Sequence, residues 1–175
     1  MMSILYVFWM YVIVLGVIGM MRGWAKELLV AFSVVIALTL NLLLKSYIPI
    51  VRDLPDNSSS LFWIRTLIVL ALVFFGYQTV ALVPHLASKA TRERLQDALF
   101  GFILGGLNGY LIVGTILFYL DQAQYPYPDI ISPPIGPMAN TIATMMIYMP
   151  PHVLGVPAIF FALVLCFIFV IVVYI

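Results

Sequence analysis

Charge is what this sequence has least of: Asp, Glu, Lys and Arg make up 9% of its 175 residues, whereas 65% are hydrophobic. A soluble domain carries about 25% charged residues, so this composition, with a mean hydropathy of +1.16, excludes a water-formed core under a charged shell. The net charge of +1 supplies no field that would attract nucleic acid or an acidic partner. Cysteine is reduced to Cys166, which excludes a disulfide framework within the chain. Histidine is as scarce: His85 and His152 are expected at opposite faces of a membrane, about 30 Å apart, and ligands of one zinc ion must each lie about 2 Å from it. A hydrogen-bonded or solvated His85 after Pro84 is a better account than a macrocycle ligand, and neither histidine is assigned a site.

Enzyme signatures are missing too. There is no H-E-x-x-H, no G-x-S-x-G and no phosphate-binding G-x-x-x-x-G-K-[ST]. Asp121 and Asp129 fall at or beyond a helix end, where caps and turns explain carboxylates without catalysis. No catalytic residue, metal site or cofactor is predicted, and the protein is read as a non-enzyme; a bound lipid, quinone or pigment is left open.

What is present is apolar sequence of spanning length. The expected fold is all-α, a polytopic membrane helical bundle of about five transmembrane helices, in one domain over 1–175. The expected spans cover 4–21, 25–44, 61–83, 98–120 and 154–175, with a proline-rich outer loop at 121–153. The start lacks a basic region and a cleavage site, so it is read as a retained helix, and the close at V-V-Y-I leaves room for further residues beyond Ile175. A single helix over 4–44 would run ~60 Å, about twice the hydrocarbon thickness, so a break is required. The stretch G-M-M-R-G-W-A-K-E supplies it: Gly23 tolerates a tight turn, and Arg22 and Lys26 are expected to reach the headgroups.

Five basic residues (Arg22, Lys26, Lys89, Arg92, Arg94) fall on one set of loops, and three (Lys45, Arg52, Arg65) on the other. The richer side is expected in the cytoplasm, with the N-terminus outside and the C-terminus cytoplasmic. Residues 45–60 read as a turn-rich connector whose serines cap the third span. The Asn57-Ser58-Ser59 sequon is read as a chance match. Eight of the eleven prolines lie between 126 and 157, favouring extended backbone. Within that stretch, residues 138–149 are compatible with a helix following Pro137. Met138, Ile142, Met145, Met146 and Met149 form its apolar face, a candidate partner surface, although covering its own bundle or lipid is the preferred reading.

Polar residues inside the spans are weighed as functional candidates because lipid penalises them. Arg65 lies about 6 Å into its helix and can snorkel back to the interface. Asn41, Gln78 and Asn108 are better explained by interhelical hydrogen bonds than by a transport path. Glycine gives the sharper pattern. Gly101, Gly105 and Gly109 recur every fourth residue, with Gly106 beside them, and leave one ridge of the fourth span without side chains. Gly19 and Gly23 form a second such pair, and G-M-M-R-G and G-G-L-N-G share a weak repeat.

The G-x-x-R-G-x-x-K-E turn, followed by R-L-Q-D-A-L-F-G-F-I-L-G-G-L-N-G-Y-L-I-V-G, resembles the colicin V production protein (CvpA) family of bacterial multi-pass inner-membrane proteins. The resemblance covers about 4–120. It implies that Gly19, Arg22, Gly23, Lys26 and Glu27 form the family's first-loop motif, and Asp97, Gly101, Gly105 and Gly109 its fourth-helix motif. Family members have about four spans and often an arginine near the second glycine motif; this chain has Asn108 there and adds the proline-rich loop and a fifth apolar segment. No catalytic residues follow from the resemblance.

Location in the bacterial cytoplasmic (inner) membrane is therefore expected. The first functional expectation is a non-enzymatic scaffold or accessory subunit that docks on a larger membrane complex, a respiratory or photosynthetic one among the candidates. Its partners would be the lipid bilayer and other membrane protein subunits, with no nucleic acid and no soluble small-molecule substrate. The alternative is a small transporter or channel component in export or envelope function, with a path lined by Asn41, Gln78 and Asn108.

Overall fold

The structure, a computed structural model, describes residues 4–79 and 94–174. Among these residues every regular element is a helix: α1 (Ile4–Arg22), α2 (Trp24–Tyr47), α3 (Pro49–Arg52), α4 (Ser59–Thr79), α5 (Arg94–Gln122), α6 (Pro137–Ile147), α7 (Pro150–Val153) and α8 (Ala158–Tyr174). Four of them, α1, α2, α4 and α5, are long and apolar enough to cross a membrane. The fifth expected span is represented by α8, whose 17 residues reach ~25 Å, short of a hydrocarbon core of about 30 Å. The chain is thus an all-α membrane bundle of four candidate spans and one shorter apolar helix.

The required break falls at one residue. Gly23 adopts φ 87° and ψ 155°, a conformation that a side chain would oppose, while its N–H still bonds the Gly19 carbonyl at 2.9 Å. Beyond this turn α1 and α2 touch little. Instead α5 lies against both, α2 also carries α4, and α8 packs on α2, giving the lateral order α1, α5, α2, α4. The main core follows from this order: Val30, Val34 and Ala37 of α2, Val69 of α4 and Leu111 of α5 are buried together. A smaller core joins Phe8 of α1 to Ile142, Met146 and Met149.

Helix ends follow local chemistry. Pro49 and Pro137 each occupy a first-turn position, where a missing N–H costs nothing. The short α3 lies within what reads from sequence as a turn-rich connector. Ser58 caps α4, its hydroxyl accepting from the Leu61 N–H at 3.2 Å. The proline-rich segment is tied to the start of α4 through Tyr127, whose hydroxyl accepts from Trp63 Nε1 at 2.8 Å and lies 3.0 Å from Ser59 Oγ. The last residues of the expected third span, from 80 to 83, and the loop that follows it with His85, Lys89 and Arg92 lie outside the described residues.

Candidate functional site

Two polar clusters stand out from the apolar bundle, one at each end of α2. At the glycine turn, Arg22, expected from sequence at the headgroups, has its partners inside the bundle. It folds back so that Nη1 donates to Glu27 Oε1 at 2.9 Å, and its guanidinium lies 4.2 Å from the centre of the Tyr77 ring. Glu27 has no exposed surface. Removing a carboxylate from water costs several kcal/mol, so its partners matter. The second oxygen, Oε2, accepts from Asn108 Nδ2 at 2.8 Å, and the same amide nitrogen reaches the Glu27 carbonyl at 2.8 Å. Asn108 is therefore a link between α5 and α2.

Asp97 performs a related task from a distance of 73 residues. Gly23, in the cap position of α2, has no side chain to satisfy the first N–H groups, and Asp97 Oδ1 accepts from the Trp24 N–H at 3.1 Å. Its negative charge also complements the positive end of the α2 dipole. Lys26 is half-buried beside this turn.

The glycine ridge lies between α1 and α5. A methyl group on Gly19 would collide with the Gly101 carbonyl and sit 2.7 Å from Gly105 Cα. One on Gly105 would meet the Leu15 carbonyl and lie 2.8 Å from Gly19 Cα, and one on Gly109 would lie 2.8 Å from Val12 Cα. Gly101 faces the Gly19 carbonyl in the same way, whereas a methyl group on Gly106 would find only the Val12 carbonyl, at 3.9 Å. Gly19, Gly101, Gly105 and Gly109 thus serve a contact within the chain, made by backbones that approach without side chains between them.

At the proline-rich end, a cleft of about 310 Å³ opens between α2, α4, α5 and the α7–α8 turn. Asn41, Lys45, Arg65, Tyr119 and Gln122 supply its polar wall, and Leu38, Leu42, Phe118, Leu154 and Ile159 its apolar one. Arg65 Nη1 donates to Gln122 Oε1 at 2.6 Å, and Nη2 lies 3.6 Å from Asp56 Oδ1. Lys45 Nζ shares that carboxylate at 3.2 Å and donates to the Leu54 carbonyl at 2.6 Å. Asn41 Nδ2 points to the Arg65 carbonyl at 3.2 Å and the Tyr119 hydroxyl at 3.4 Å, which leaves Asn41 Oδ1 buried without a donor. Just past α5, burial raises the Tyr125 phenol pKa, and the adjacent Asp121 carboxylate, which accepts a hydrogen bond from the phenol at 3.1 Å, raises it further.

The apolar face predicted after Pro137 divides. Ile142, Met146 and Met149 are buried against Phe8 and so are unavailable to a partner, Met145 packs at the edge of that cluster, and Met138 is exposed. Asn41 and Asn108 belong to separate clusters, and Gln78 is exposed, so the three do not line one path. Among the described residues no group of three His, Cys, Asp or Glu side chains is placed to hold a metal. Sequence reasoning did not find the depth of Glu27, the stacking of Arg22 on Tyr77, or the cleft. Only the first left a trace, in oppositely charged residues five apart across a forced helix break.

The chain matches no curated protein and no solved structure. Residues 6–133 match the sequence profile of the colicin V production protein family. That match takes in all four candidate spans and both glycine motifs, and it stops before α6. The Gly23 turn, the α1–α5 glycine contact and the Glu27–Asn108 link all lie inside it, and the chain therefore belongs to the colicin V production protein (CvpA) family as a multi-pass inner-membrane protein.

Proposed function

We propose that this CvpA-family protein is a non-enzymatic membrane scaffold or accessory subunit that docks on a larger membrane complex, with a respiratory or photosynthetic assembly as one class of host. One observation carries the reading. The buried carboxylate at the glycine turn is consumed in holding helices together, its two oxygens being occupied by Arg22 and Asn108, so it is not free to carry a solute. What the chain offers outward is apolar surface on a proline-rich segment, where Ile130 is 81% and Ile135 84% exposed. In this reading the N-terminus and the proline-rich end lie outside, following the five-to-three division of basic residues, and the C-terminus is cytoplasmic with the shorter α8 crossing a locally thinned bilayer.

The test is mass-spectrometric identification of what co-purifies from native membranes in mild detergent, for the wild type and for Ile130→Asp/Ile135→Asp. Recovery of one set of membrane subunits in fixed proportion, lost in the variant while the variant stays folded, is the expected result. Recovery of the wild type alone overturns the docking role. A transporter or channel component in export or envelope function is the second reading, favoured by the polar cleft that opens at one end of the bundle. It requires Asn41→Leu to abolish solute flux in reconstituted vesicles without altering co-purification.

A further inference from the structure

We propose that the cleft between α2, α4, α5 and the α7–α8 turn binds the headgroup of an anionic, hydroxyl-bearing phospholipid, with phosphatidylglycerol as the model chemistry. Three observations converge on that class of ligand. The first is charge. Lys45 and Arg65 both face the cleft, and among the described residues Asp56 is the one carboxylate paired with both, leaving one positive charge in excess there. Asp56 is itself 60% exposed, so solvent screens its hold on them. Arg65 has five N–H donors, of which one is committed to Gln122 and the Nη2 contact to Asp56 is too long for a hydrogen bond, so a forked face remains for a phosphodiester.

The second is an acceptor in need of a donor. Asn41 is 4% exposed and lines the cleft, and its Oδ1 receives no hydrogen bond. A buried amide oxygen left in this state is costly, and a phosphodiester has no proton to give it. A hydroxyl on the same headgroup does, and the proposed ligand therefore combines an anion with an alcohol. The third is position. Lys45 lies in the last turn of α2, Arg65 in the second turn of α4 and Gln122 at the end of α5, so the polar wall sits at helix ends, at the depth of headgroups. The volume of about 310 Å³ matches a small-ligand site and takes a headgroup rather than a whole lipid. Leu42, Phe118 and Leu154 beside it give an apolar route by which the glycerol end joins its acyl chains in the bilayer.

The experiment is native mass spectrometry of the purified full chain after exchange into nanodiscs holding phosphatidylcholine with equal minor fractions of phosphatidylglycerol and phosphatidylmethanol, which is anionic but has no hydroxyl. Glycerol phosphate is titrated separately as the soluble anion. The wild type is expected to retain phosphatidylglycerol about tenfold over phosphatidylcholine and to prefer it to phosphatidylmethanol. Lys45→Gln/Arg65→Gln should remove the preference over phosphatidylcholine, and Asn41→Leu should remove only the preference over phosphatidylmethanol. Lys45→Gln alone, at a half-exposed position, keeps the fold and should give an intermediate loss. Equal retention of all three lipids by the wild type, an unchanged preference in the double variant, or saturable binding of glycerol phosphate without lipid preference overturns the proposal.

Discussion

A carboxylate with no exposure must be neutralised and hydrogen-bonded where it stands, and Glu27 has one partner for each oxygen. The two partners differ in what they supply. Arg22 brings charge, so Glu27→Ala should cost about 3 kcal/mol or more by stranding a partly buried guanidinium against Tyr77. Asn108 brings geometry, and Asn108→Leu should cost about 1–2 kcal/mol through the unfilled Oε2 position. Both are read from reversible unfolding in mixed micelles, and a Glu27→Ala effect no larger than that of Asn108→Leu would show that the ion pair is not the dominant contact. Asp97→Ala tests the cap supplied across the bundle. Loss of the only side-chain acceptor found at the start of α2 among the described residues should cost about 1 kcal/mol and speed hydrogen exchange at Trp24 and its neighbours.

Helix pairs are decided by which residues have no side chain. Gly105 and Gly106 are adjacent and chemically identical, yet a methyl group on the first would collide with the backbone of α1 and one on the second would only reach van der Waals distance from it. Gly105→Ala should separate α1 from α5 and cost about 2 kcal/mol or more, whereas Gly106→Ala should change stability by less than about 0.5 kcal/mol or raise it through helix propensity. Thermal unfolding of the two variants in one detergent checks the pair, and equal effects would remove the argument for a directed glycine ridge. The four-residue spacing in the sequence was enough to identify the ridge. Its partner was not legible, because a glycine stripe fits an internal helix and a second chain equally well. The Met-rich face likewise gave α6 its helix and its apolar side, but not that Phe8 would be beneath it.

For the molecule as a whole, sidedness is the property most open to a direct experiment. Cys166 is the only cysteine, so Cys166→Ser gives a clean background for single cysteines. In spheroplasts, a cysteine at Ile135 should react with a membrane-impermeant maleimide, and one at Trp24 should react only after the membrane is opened. The reverse pattern would mean that five basic residues against three did not set the orientation. The labelling also tests whether the proposed headgroup cleft faces the leaflet on the proline-rich side.

Composition and periodicity by themselves determined the membrane class, the helical fold and the break at Gly23. Each follows from short-range rules: a helix must be long enough to cross lipid, a longer one must turn, and a left-handed backbone needs glycine. Tertiary structure alone decided that Arg22 turns inward to Glu27, that Asn108 bridges to the same carboxylate from 81 residues away, and that Lys45, Arg65 and Asn41 share one cleft. Those arrangements depend on the lateral order of the helices, with α5 between α1 and α2. In lipid that order is chosen by close packing and a few interhelical hydrogen bonds, because almost any apolar face satisfies the solvent equally well.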